Sequence, residues 1–144
     1  SEMASLMASS LSGMEMSRAF VVHGLNGWDE PTPASKFELF DVSKDSISHK
    51  IIDPSELGMD KCKEEDLKGG TSEVNAKALL EVFDGKDNGA HEDALVLNAA
   101  LSLQVAGKAA DLIEGIEIAR QTIVSGKAKD ILHKHNLQTI YRSR

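Results

Sequence analysis

The stretch Arg18 to Thr32, RAFVVHGLNGWDEPT, constrains this chain more than any other. Ala19-Phe20-Val21-Val22 is an apolar, β-branched and aromatic run that stops at His23-Gly24. A run of this length ending in glycine predicts a buried strand. Gly27, Trp28, the adjacent acids Asp29 and Glu30, and then Pro31 and Pro33 predict a loop with special backbone demands. In an open α/β sheet, ligands sit at the loops beyond the C-terminal ends of strands. An acid pair in such a loop is a candidate metal or phosphate-metal site, because Mg²⁺ takes one or two carboxylates together with substrate phosphates and waters. The competing reading is a solvated pair of surface acids.

The rest of the chain supplies mostly helices. Met3, Leu6, Met7 and Leu11 define one face of a short helix, ended at Ser12-Gly13. Ser1-Glu2, ahead of Met3, reads as an appended remnant. Lys36 to Val42 alternates, with Phe37, Leu39 and Asp41 on one side and Phe40 and Val42 on the other. With Ser46 to Ile52 and the polar turn between them it predicts a β-hairpin. Thr71 or Ser72 opens a helix with Val74, Ala78, Leu79, Val82 and Phe83 facing inward. Ala90 to Ala106 is apolar on nearly every face, which predicts a helix buried on several sides. Asp111 and Glu114 form a capping-box pattern for a helix carrying Ile113, Ile116, Ala119, Ile123 and Val124. Lys127 to about Leu137 is a last amphipathic helix, with fraying expected over Tyr141 to Arg144. The strand at Ala19 has no second fully apolar counterpart, so a parallel sheet built on it lacks a part.

Charge and cysteine content narrow the function classes. The net charge is -7, and the basic residues are scattered, which disfavours nucleic acid as a partner. A polyanionic substrate then needs a metal or a local basic pocket. No apolar run reaches membrane-spanning length, and no secretory pattern opens the sequence. One cysteine, Cys62, fits a reducing, cytoplasmic setting. Its neighbours Lys61 and Lys63 are the only sign of activation, and an unreactive thiol is the expected reading. His23 is either a ligand or general base or, as expected, a hydrogen-bond partner of the loop backbone. Gly69-Gly70 before a helix is either an anion cradle or, as expected, a plain turn, since no Lys-Ser/Thr follows. His133 and His135, two apart, do not share a helix face.

Several motifs occur together in one order. They are Val21-Val22-His23-Gly24 with Gly27 and Asp29-Glu30; Asp53-Pro54 and Leu57-Gly58; and Asp66-Leu67-Lys68-Gly69-Gly70. Asn75-Ala76, the loop at Gly85, and Asp93-Ala94-Leu95-Val96-Leu97-Asn98-Ala99-Ala100 follow. This pattern resembles anthranilate phosphoribosyltransferase from about Met7 to about Leu132. The resemblance implies a partial phosphoribosyltransferase α/β domain, nucleoside-phosphorylase-like, with a short central sheet, a β-hairpin and several packed helices. It implies transfer of phosphoribosyl from 5-phosphoribosyl-1-pyrophosphate to the amine of anthranilate in tryptophan biosynthesis, with a homodimer as the complete enzyme. It assigns Mg²⁺ as cofactor and Asp29 and Glu30 as residues that hold it. The family's Gly-Thr-Gly-Gly-Asp and Lys-His-Gly-Asn segments and its N-terminal helical bundle have no counterpart among residues 1–144. The expectation is therefore a single C-terminal α/β piece, inactive alone. Two alternatives stand beside it: a non-catalytic binding module, and a non-biosynthetic relative of the same fold family. The acid pair favours the transferase over nucleoside phosphorylases.

Overall fold

A computed structural model describes the backbone of residues 1–142 and side chains through residue 134. The expected fraying of Tyr141 to Arg144 and the side chain of His135 lie outside what is described. The elements run α1 (Glu2–Leu11), β1 (Ala19–Gly24), β2 (Phe37–Ser43), β3 (Ser46–Ile52), α2 (Ser72–Phe83), α3 (Ala90–Val105), α4 (Leu112–Val124) and α5 (Lys127–Arg142). Two 3₁₀ turns, Pro54–Leu57 and Glu64–Leu67, link the hairpin to α2. The α/β class holds.

The sheet departs from the parallel arrangement expected for β1. Its order is β1-β2-β3, antiparallel throughout, with Val21 opposite Phe40 and Phe40 opposite His49. The apolar run does not make β1 a fully buried strand: only Val21 and Gly24 are buried, because β1 lies at a sheet edge. The hairpin alternation is as read. Phe37 and Leu39 enter the main core with Val96, Leu97, Ala100 and Ile116, while Phe40 and Val42 pack under α1. β3, the opposite edge, is exposed along almost its whole length. It is held by His49, which stacks on Phe40 with ring centroids 4.3 Å apart and has Nε2 3.1 Å from Glu38 Oε1. The polar, Lys-bearing sequence of β3 is typical of a protected edge, whereas β1 carries no Lys, Arg, Asp or Glu.

Helix α1 turns its other face inward. Ala4 and Ala8 touch the sheet, and Met3, Leu6 and Met7 face outward. Small residues let the helix axis come close to the strands. Gly13, at φ +87, turns the chain out of α1, and its N–H donates to the Lys44 carbonyl. Val74 of α2 and Ile113 and Val124 of α4 are likewise exposed, against expectation. The buried face of α4 is Leu112, Gly115, Ile116, Ala119 and Ile123.

Helices α3 and α4 cross at Gly115. A Cβ there would lie 2.9 Å from both Cα and Cβ of Ala100. The helices approach this closely only because position 115 has no side chain. Arg120 of α4 also reaches the buried Asp93 of α3 at 2.7 Å. Beside that crossing, Leu95, Ala99 and Leu103 of α3 line an open apolar cavity of about 420 Å³ with Phe83 of α2, Ile118 of α4 and Ala128 of α5. This helix is therefore apolar all round but covered on only part of its circumference.

Arg18 ties three elements at the base of β1. Its guanidinium meets Asp41 of β2 at 2.7 and 2.9 Å, donates to the Gln104 carbonyl of α3 at 3.2 Å and lies over the Phe20 ring. The hydrogen bond from Arg18 holds the Asp41 carboxyl below its ordinary value of 3.8. The folded chain thus binds this proton less readily than the unfolded one. The pair's stabilisation is complete above pH 3.8 and is lost as pH falls through the lower folded value.

Two outcomes are expected in urea denaturation. Asp41→Asn loses about 1 kcal/mol at neutral pH and shows a shallower decline than the parent below pH 3.8. Gly115→Val costs about 3 kcal/mol, because the atoms it meets are backbone and a packed methyl.

Candidate functional site

The acid pair lies in the connection from β1 to β2. Leu25 at its start donates its N–H to the Lys36 carbonyl at its end, at 2.8 Å. Inside that closure the chain folds back over Gly24. The Gly24 N–H donates to the Trp28 carbonyl and the Gly27 N–H to the Gly24 carbonyl, both at 2.9 Å. A Cβ on Gly24 would lie 2.6 Å from Asn26 Oδ1 and 3.3 and 3.4 Å from the carbonyls of Trp28 and Glu30. Gly27 takes φ +94, which fits the turn that only glycine adopts freely.

Beyond the acids the loop is buried. Pro31 is fully enclosed and Thr32 is 4% exposed. The Pro31 carbonyl accepts a hydrogen bond from Asn98 Nδ2 of α3 at 3.0 Å. On the other flank Asn26 Nδ2 donates to Glu64 Oε1 of the second 3₁₀ turn at 2.9 Å. Asp29 and Glu30 themselves are exposed. The loop's only cation, Lys36, pairs with Asp53 at 3.2 Å. Among the described residues no ion pair engages either acid. Two anionic oxygen donors are thus left unneutralised on a loop whose two flanks are tethered.

The donor set has a definite chemistry. Among the described residues, no three His, Cys, Asp or Glu side chains converge on a metal position. A closed, all-protein cage is therefore not available. Two adjacent carboxylates do fit a hard cation whose remaining ligands are phosphate oxygens and water.

The other residues singled out in the sequence lie apart from this loop or are otherwise engaged. His23 stands opposite Glu38 in the register and on the same sheet face as Val21, beneath α1. Its expected bond to loop backbone is not among the hydrogen bonds of the described residues. The Gly70 N–H at the start of α2 donates to Asn75 Oδ1 at 2.8 Å, so the glycine pair is a turn already satisfied by the protein. Burial, then Asp66 and Asp93, push the Cys62 thiol up, and Lys61 and Lys63 do not activate it. Asp53 is held down to about 2, first by the Ser55 hydroxyl and then by the Ser55 N–H and Lys36, which fixes the turn at Pro54. Sequence reasoning gave no role to the two asparagines that tether the loop. Asn98 appeared only within the motif Asp93 to Ala100, and its amide in an otherwise apolar helix was the available signal.

Comparison with known proteins defines the class. Residues 1–129 match the model of the glycosyl transferase family, a/b domain, and the chain belongs to that family. Within it the chain is homologous to anthranilate phosphoribosyltransferase. It is 37% identical over 129 residues to that enzyme of Desulforudis audaxviator, covering 90% of this chain and 37% of the relative. The crystal structure of the Thermus thermophilus enzyme superposes with a TM-score of 0.73 at 33% identity, over 81% of this chain and 34% of that one. The Saccharomyces cerevisiae enzyme in complex with PRPP and Mg superposes at 0.71 and 28% identity, over 79% of this chain and 33% of that one. The chain thus spans about a third of the length of the relatives it matches. No helix among the described residues is long and apolar enough to cross a membrane.

Gly24→Ala is expected to push the loop open at its narrowest point. Stability should fall by about 1 to 2 kcal/mol in chemical denaturation. Amide hydrogen exchange should rise at position 24 and at Gly27, whose N–H groups close the loop, while exchange in the core of α3 stays as in the parent.

Proposed function

We propose that this chain is the C-terminal α/β part of an anthranilate phosphoribosyltransferase and that Asp29 and Glu30 hold Mg²⁺ against the phosphates of 5-phosphoribosyl-1-pyrophosphate. The observation that carries the reading is the acid pair itself: unneutralised, exposed, and set on a tethered loop inside the segment that matches the family. Breaking the bond between ribose C1 and pyrophosphate oxygen develops negative charge on the leaving group, and Mg²⁺ when bound stabilises that charge without a proton transfer. The chain's own part is to present the two carboxylates in fixed geometry. At a net charge of -7 the chain as a whole is the wrong sign to offset a polyanionic substrate without a cation.

The partners in the reaction are 5-phosphoribosyl-1-pyrophosphate and anthranilate, and the relative solved with PRPP and Mg supports the first of them. The segments that would hold the diphosphate and the anthranilate are not in these residues. Two surfaces support a missing complement: the edge of β1, which carries no Lys, Arg, Asp or Glu, and the open apolar cavity along α3. The domain reading follows, with one α/β piece in residues 1–144 and the N-terminal helical bundle and diphosphate loop lying outside it. The complete enzyme is read as a cytoplasmic homodimer.

The test is complementation. The chain alone is expected to give no transfer of phosphoribosyl to anthranilate, followed by loss of anthranilate fluorescence. Mixed with the N-terminal part of a relative it should give Mg²⁺-dependent turnover. Asp29→Asn and Glu30→Gln should each cut that turnover by about tenfold or more and raise the Mg²⁺ concentration required. Turnover by the chain alone, or variants equal to the parent in the mixture, would refute the reading.

A further inference from the structure

We infer that Asn98 is a positioning residue for the acid pair: it fixes the carboxylates of Asp29 and Glu30 by holding the Pro31 carbonyl against α3. This inference rests on the metal reading above and names the part of the protein that sets its geometry. The case begins with what an asparagine does in an apolar helix. Asn98 sits among Leu97, Ala99, Ala100 and Leu101, where a polar side chain costs free energy unless both its N–H groups are used. Both are used here. One goes to the Ala94 carbonyl one turn back at 2.9 Å, which fixes the rotamer. The other goes to the Pro31 carbonyl at 3.0 Å, 67 residues away in sequence.

That second bond lands one residue after Glu30, where the loop has just left solvent. Pro31 is fully buried and Thr32 nearly so, so the carbonyl has no water to replace the amide. A donor lost from Asn98 leaves it unpaired, and the local escape is for the loop to lift. On the near side, the Gly24 and Gly27 bonds and the Asn26 contact to Glu64 hold residues 24–28. The acids therefore sit between two anchors, and Asn98 is the only side chain that anchors the far one among the hydrogen bonds of the described residues. α3 buries Asp93, Val96, Leu97, Ala100 and Leu101 and crosses α4 closely at Gly115, so this anchor is attached to a tightly packed element. Outer groups that orient metal ligands commonly change metal affinity by tenfold or more when removed.

The test uses the whole chain with Mn²⁺ alone as probe, read by paramagnetic broadening of the Asp29 and Glu30 amides and by amide exchange. Asn98→Leu keeps the volume and removes the donor. It is expected to weaken Mn²⁺ binding by about tenfold and to raise exchange at Gly24 and Gly27, with the circular dichroism of the helices unchanged. Asn98→Gln, which keeps an amide, should recover part of the affinity. Asn98→Ser, which leaves room for a water at Pro31, is the variant to read if Asn98→Leu does not fold. Equal Mn²⁺ affinity in parent and donorless variant overturns the inference while the metal reading stands. A parent in which Mn²⁺ broadens neither acid, or broadens them equally after Asp29→Asn and Glu30→Gln, overturns the metal reading and the inference with it.

Discussion

The close crossing of α3 and α4 at Gly115 and Ala100 is the contact on which the rest is built. With backbone meeting backbone there, α3 is immobilised along one side, and its other sides become a platform. The sheet lies on it through Phe37 and Leu39, and the base of β1 is tied to its C-terminal end by Arg18. The acid loop hangs from its middle through Asn98. A side chain at position 115 would move α3 relative to all three at once. The ion pair from Arg120 to Asp93 works in the same direction, since it fixes the rotation of α4 about the same crossing. It is partly exposed, so its contribution is modest and the close packing dominates.

Local features were legible in the sequence where their cause was local. The hairpin register follows from alternation and a polar turn. The helix starts at Thr71 and Asp111 follow from side chains that accept the N–H groups of Val74 and Glu114, three residues on. The capping box is present in altered form, with Glu114 reaching the Ala110 N–H. What failed was the assignment of faces. An apolar stripe predicts that a surface will be covered, not by what. In α1 Met3, Leu6 and Met7 point outward, while Ala4, Ala8 and Leu11 pack against the sheet. Ile113 and Val124 of α4 are exposed by the same ambiguity. The antiparallel direction of β1 was also hidden, since the length of the connection from Leu25 to Lys36 suits either topology once it packs as a structured loop.

The candidate site divides in the same way. Asp29 and Glu30 are adjacent, and their chemistry can be read from their identity and setting. Their rigidity cannot, because it comes from Asn98, 67 residues beyond Pro31, and from Glu64, 38 residues beyond Asn26. Sequence pattern records periodicity within an element. It does not record which carbonyl in another element a lone amide will meet. A single polar residue in an otherwise apolar helix is nevertheless a usable sign, since burial without a partner would be costly. Asn98 carried that sign.

The exposed acids and the exposed apolar surfaces both fit the proposed reading of this chain as one part of a longer enzyme. A carboxylate pair this free of counter-charge, on a chain already at -7, is open to a cation or a basic surface. A strand edge without Lys, Arg, Asp or Glu and an open cavity of about 420 Å³ beside α3 are unfavourable unless chain covers them. The two needs do not fall at random on the molecule. β1, whose edge is bare, leads directly into the loop that carries the acids, and α3, whose flank is bare, supplies the amide that fixes that loop. Chain that completes the sheet at β1 would therefore arrive at Asp29 and Glu30. A phosphate held by that chain and a cation held by these acids would then meet at one place, which is the geometry that a metal shared between protein and substrate requires.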